Sequence, residues 1–166
     1  MTRRRNSNYR GFSLIEVLIA TTVLSVGLGG MATLMVSASG GLMEAGHETA
    51  ANLGAAAMNA TLQLSPAALD HIANPPPEVT ACFEGSSCSA DEWAASRYVS
   101  WRDRVARELP NGQGIVCQDS TPLDGDGAIP ECDGGGAVVV KVFWIEPRHV
   151  HDTDGGARRV VQQVPR

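Results

Sequence analysis

Residues 12–38 read FSLIEVLIATTVLSVGLGGMATLMVSA, and Glu16 is the only charged residue in these 27 positions. A helix of this length reaches about 40 Å, enough to cross a hydrocarbon core of roughly 30 Å. Arg3, Arg4, Arg5 and Arg10 precede the run with no acid among them, and no basic residue follows it closely. The asymmetry of positive charge places residues 1–11 on the cytoplasmic side and the remainder of the chain outside.

The rest of the chain has a different character. From residue 12 onward it carries 9 basic and 18 acidic residues, although the whole chain is only at −5. A net acidic exterior argues against a general nucleic-acid binder. The apolar share of 43% excludes bulk disorder. Aromatics are only 5%, with 18 Gly and 9 Pro, so the core is modest and much of the chain is loop. One membrane anchor plus one small domain accounts for the length.

Three kinds of segment begin with basic residues followed by an apolar run. A secretory signal peptide has an apolar stretch of about 7–15 residues and a small-residue cleavage site. Ser37-Ala38-Ser39 offers such a site, but this stretch is too long and holds a carboxylate. A plain transmembrane anchor tolerates the length and leaves Glu16 unexplained, whereas an ionisable residue inside a span points to function. The third kind accounts for each residue. Arg10-Gly11-Phe12-Ser13-Leu14-Ile15-Glu16-Val17 resembles the recognition site of the type IV pilin family. That resemblance implies cutting after Gly11 by a prepilin peptidase on the cytoplasmic side, and methylation of the new amine of Phe12. Glu16 becomes the fifth residue of the mature chain, one helical turn from that amine. An amine and a carboxylate each cost several kcal/mol when alone in a low-dielectric bundle, and pairing offsets this. The resemblance therefore makes Phe12 and Glu16 an inter-subunit register device. Many major pilins carry a proline in this helix, and here none lies between residues 12 and 65. Gly27, Gly29 and Gly30 fit either a loosened helix or sites of close helix packing.

Residues 40–64 are rich in helix formers, and Leu42, Met43, Ala50, Leu53, Ala57, Leu62 and Leu64 form an approximate helical stripe. The anchor helix is therefore expected to continue to about residue 64, where Pro66 follows. Asn74-Pro75-Pro76-Pro77 marks a polyproline-like loop. Ser89-Ala90-Asp91-Glu92 has capping-box spacing, and Ala94, Tyr98, Trp101, Val105 and Leu109 recur on one face of a predicted helix over 90–109. Arg97, Arg102, Arg104 and Arg107 lie on its other faces among Glu92, Asp103 and Glu108, which reads as a solvated face. Strands are predicted at 114–118, 137–146 and 159–164, joined by turn-rich segments into an antiparallel sheet of three or four strands. The fold class is α+β: a long N-terminal helix packed on a small antiparallel sheet domain with one extra helix. The Trp-bearing helix, Leu109-Pro110-Asn111-Gly112-Gln113-Gly114, the Cys strand and the Val-rich strand with Trp144 resemble PilV-type minor pilins more loosely.

Cys82, Cys88, Cys117 and Cys132 are an even set, which suggests two disulfides in an exported domain. Cys82–Cys88 with Cys117–Cys132 is the favoured pairing of three, since each bond closes a loop of low intrinsic order. Spacings of five and fourteen intervening residues do not match zinc sites. Asp119, Asp124, Asp126, Glu131 and Asp133 crowd one loop with the oxygen ligands a calcium ion takes. The Leu123-Asp124-Gly125-Asp126-Gly127 segment lacks the EF-hand spacing and reads as ordinary turns. His149 and His151 would share a strand face beside Asp152, without a third ligand. No nucleophile–base spacing or phosphate loop occurs, so no catalytic residue, metal or cofactor is expected, and the chain reads as a non-enzyme.

The sequence thus divides into a cleaved cytoplasmic leader (1–11), a transmembrane and assembly helix (12–38), its periplasmic continuation (39–64) and a disulfide-containing α+β domain (65–166). The resemblance implies a minor, PilV-like pilin that helps initiate or tip a type IV pilus. Its expected partners are the prepilin peptidase, other major and minor pilins, and the inner membrane, with the mature protein ending at the pilus or cell surface. A minor pseudopilin of type II secretion shares the N-terminal features. A membrane-tethered adhesive or ligand-binding domain is the alternative from another class.

Overall fold

The computed structural model describes residues 11–64, 82 and 88–165. The chain divides into two compact units, Met1–Leu42 and Met43–Arg166. Helix α1, Leu14–Leu64, contributes to both and runs for 51 residues. Nothing in its sequence breaks it: proline is absent, and alanine and leucine are the commonest residues. It passes unbroken through Gly27, Gly29 and Gly30, and a Cβ added at any of the three would meet open space.

In the first unit every residue from Gly11 to Ser39 is exposed. Five of the hydroxyls there return their hydrogen bonds to their own helix. Thr21 Oγ1 donates to the Val17 carbonyl at 3.0 Å, Thr22 to Ile19 at 2.8 Å and Ser25 to Thr21 at 2.7 Å. Thr33 donates to Gly30 at 2.8 Å and Ser39 to Val36 at 2.9 Å. Such back-bonding removes the cost of placing a hydroxyl in hydrocarbon.

The second unit is built on residues 43–64 of α1, helix α2 (Ala90–Glu108) and strands β1 (Gln113–Asp119), β2 (Ala137–Ile145) and β3 (Ala157–Gln163). The strands form an antiparallel meander in the order β1-β2-β3. Gln113 faces Phe143 and Asp119 faces Ala137 on one side of β2, and Val139 faces Gln163 and Ile145 faces Ala157 on the other. Three strands are present among the described residues, at the lower end of the expected range. Helix α2 starts at the capping box: the Glu92 N–H donates to Ser89 Oγ at 3.2 Å, and the Ser89 N–H donates to Glu92 Oε2 at 2.8 Å.

Side-chain alternation in β2 splits its residues between two faces. Val138, Val140, Val142 and Trp144 enter the main core with Ala94, Tyr98, Trp101, Val105 and Leu109 of the α2 segment. The α1 side of that core is Ala51, Ala55, Met58 and Leu62. The stripe expected from sequence was therefore rotated: Leu42, Met43, Leu53 and Leu64 are exposed, as is Ala57, whereas Leu62 is in the core and Ala50 packs against it partly buried. The reason is steric. The small side of the helix lets α2 approach closely enough for Trp101 Nε1 to donate to the Gly54 carbonyl at 2.8 Å. The other edge of the Trp101 ring lies over β1 at Gly114, where an added Cβ would come within 2.5 Å of it.

Candidate functional site

The N-terminal segment is built from very little. Gly11, Phe12 and Ser13 precede the helix, and the Ser13 carbonyl accepts the first turn, from Glu16 N–H at 3.0 Å and Val17 N–H at 3.3 Å. Glu16 thus sits in the first turn, where the positive end of the helix dipole favours a carboxylate. Phe12 is 82% exposed, and an added Cβ at Gly11 would meet nothing within 4 Å, so the bond between them is sterically open. Among the described residues the Glu16 carboxylate makes no hydrogen bond or ion pair. Leu14, Ile15, Leu18, Ile19, Val23 and Leu24 surround it with exposed apolar surface. The helix is long and apolar enough to cross a membrane, with a window of mean hydropathy 1.9 that is wholly unburied. The arginines before Gly11 lie outside the described residues.

In the second unit, Cys82 is bonded to Cys88 and Cys117 to Cys132. Asp119 lies close to the second pair, but sulfurs spent in a disulfide offer no thiolate to a metal. Most of the acidic residues after β1 are engaged within their own loop. Asp126 Oδ1 accepts from the N–H groups of Ala128 and Ile129, both at 2.8 Å. Asp133 Oδ1 accepts from Ser120 N–H at 3.0 Å and Gly135 N–H at 2.8 Å, and its Oδ2 meets Ser120 Oγ. These hydrogen bonds, Ser120 Oγ foremost, hold the Asp133 carboxyl below its ordinary range. Asp124 Oδ2 accepts from Thr121 Oγ1 at 2.5 Å. Asp119 pairs with Lys141, whose hydrogen bond is the main cause of a lowered Asp119 pKa. Sequence reading missed Lys141: it hides inside a valine-rich strand, and its partners arrive from a loop of no regular pattern.

The histidines are also engaged differently from the strand arrangement considered above. His149 ends a short 3-10 turn, Pro147–His149, and His151 lies in the exposed turn beyond. His149 Nδ1 contacts Asp152 Oδ2 at 2.8 Å, and Nε2 contacts Glu44 Oε2 of α1 at 3.4 Å. Asp152 first and Glu44 second raise the His149 pKa. A histidine not singled out in sequence, His47, contacts buried Glu146 at 3.0 Å through Nδ1. The two contacts tie α1 to the β2–β3 connection. On α2, Arg97 lies 5.3 Å from the Trp93 ring centre and Arg102 5.7 Å from that of Tyr98, so part of the arginine face stacks on its own helix.

A groove of about 550 Å³ runs beside Phe143, Ile145 and Arg159. Its described lining also includes Asn111, Asp126 and Asp154.

Comparison with known proteins bears on the N-terminal segment. Residues 6–32 match the family described as the prokaryotic N-terminal methylation motif. No curated protein and no solved structure matches the chain significantly. The matched segment contains Gly11, Phe12 and Glu16 and supports a type IV pilin-like protein. The motif is a structural, pilin-type one; it implies processing by a prepilin peptidase and an assembly context of pilin-like subunits. With the exposed apolar helix, it fits a membrane-anchored protein.

Proposed function

We propose that the chain is the precursor of a minor, PilV-like pilin. Prepilin peptidase cuts between Gly11 and Phe12 and methylates the Phe12 amine. Residues 12–38 hold the product in the inner membrane with residues 39–166 in the periplasm. The subunit then packs with other pilins in the complex that initiates or tips a type IV pilus. Its mechanism is assembly: Phe12 and Glu16 make the contact between helices, and the disulfide-stapled domain presents the surface that chooses neighbours.

The observation that carries this reading is the matched motif at the head of an unbroken helix whose apolar stretch to Ser39 is exposed, with Glu16 in the first turn. A carboxylate there offers a neighbouring amine a partner in a medium where neither is stable alone. Mass analysis of the mature N-terminus tests it. A chain beginning with N-methylated Phe12 is expected. A chain beginning at Gly40, or one retaining residues 1–11 in cells that process their other prepilins, overturns the reading. Loss of pili, rather than of protein secretion, on deletion of the gene separates this role from that of a type II secretion pseudopilin, which shares the motif.

A further inference from the structure

Lys141 stands at the centre of β2 between Val140 and Val142, on the face turned away from α1 and α2, and its side chain is 0% exposed. A lone ammonium in such a place costs several kcal/mol unless oxygens replace its water. The last residue of β1 and the loop between β1 and β2 supply them. Lys141 Nζ meets Asp119 Oδ2, donates to the Pro130 carbonyl at 2.9 Å, and lies 3.3 Å from both the Asp124 carbonyl and Asp124 Oδ1. Three N–H donors thus face four oxygens, two from carboxylates and two from backbone carbonyls. That mixed set is what calcium takes from a protein loop.

Two features hold the oxygens in place. The Cys117–Cys132 bond closes the loop next to Pro130. Gly125 has φ +76°, and a Cβ there would come within 2.5 Å of the Pro130 carbonyl oxygen, so only glycine allows that carbonyl its position. The side chain of Asp124 is 39% exposed, which puts one wall of the cage at the surface.

From this we propose that the Asp-rich loop is organised around a cation that the chain carries itself: the Lys141 ammonium occupies an oxygen cage suited to a divalent ion, and the loop folds without a metal. The proposal stands apart from the pilin reading and survives its failure. It also turns the cage into a latent metal site, exposed when the ammonium is removed.

The test uses the full chain in non-ionic detergent. Hydrogen exchange of the amides in residues 120–136 is followed in EDTA and in millimolar calcium, for the wild type and for Lys141→Ala. Wild-type exchange is expected to be the same in both solutions. In the variant it is expected to be about tenfold faster in EDTA and slowed again by calcium. If Lys141→Ala does not fold, Lys141→Met, which retains the apolar stem, is read in the same way. Wild-type exchange that responds to calcium or EDTA overturns the proposal, because the cage then takes a metal. A variant still protected in EDTA overturns it, because the ammonium then does not organise the loop. A deprotected variant that calcium does not restore shows that the oxygens are no metal-type cage, and overturns it as well.

Discussion

Glu16 is a carboxylate in the first turn of an exposed apolar helix, with leucines and isoleucines around it. Removing it makes the segment easier to hold in lipid, since a charge in a span is costly. If Glu16 sets the register between subunits, Glu16→Ala is expected to leave insertion and cleavage intact while abolishing incorporation into the fibre or its initiating complex. Fractionation of sheared fibres against membranes measures this, and normal incorporation of the variant disproves the pairing. Glu16 was legible in the sequence because it is the one charge in a long apolar run. Lys141 was not, because a lysine in a valine-rich strand looks like an edge or solvent-facing residue. Its burial depends on oxygens such as those of Asp124, 17 positions away, whose placement no local period records.

At the level of elements, α2 could be read from its capping box and its four- and three-residue apolar spacing, and the structure puts that same face in the core. The C-terminal half of α1 was read with the wrong phase. Large apolar residues drew the stripe, whereas the core chose the side where Ala51, Gly54 and Ala55 let Trp101 come close. The tie between α1 and the β2–β3 connection leads to a pH dependence. Asp152 and Glu44 raise the pKa of His149 above its ordinary 6.5, so the folded state holds the proton more tightly. The resulting stabilisation is complete below the unfolded value and is lost as pH rises through the folded one. From about pH 6 to about pH 8.5, the urea midpoint of the wild type is expected to fall relative to that of His149→Gln. Parallel midpoints across that range count against the tie.

Among the described residues, those from 11 to 39 in the first unit are all exposed, whereas the second unit buries a core. Residues 43–166 bury Ala51, Ala55, Met58 and Leu62 against α2 and the sheet. A polypeptide of those residues is expected to fold and remain soluble without detergent, with the full chain requiring detergent or membrane. Sedimentation and thermal unfolding of the shortened chain check this; aggregation or a missing transition contradicts it. The contacts inside the second unit join α1, α2 and the sheet across long sequence separations, which is why no local period made them legible beforehand.

Thr21, Thr22, Ser25, Thr33 and Ser39 all spend their hydroxyls on their own helix. On the proposed pilin reading, a helix lying alongside this stretch in a bilayer meets one charged group, Glu16. Lateral encounters along the remainder rest on weak packing alone, and discrimination between neighbours would then fall to a single acidic address near one end.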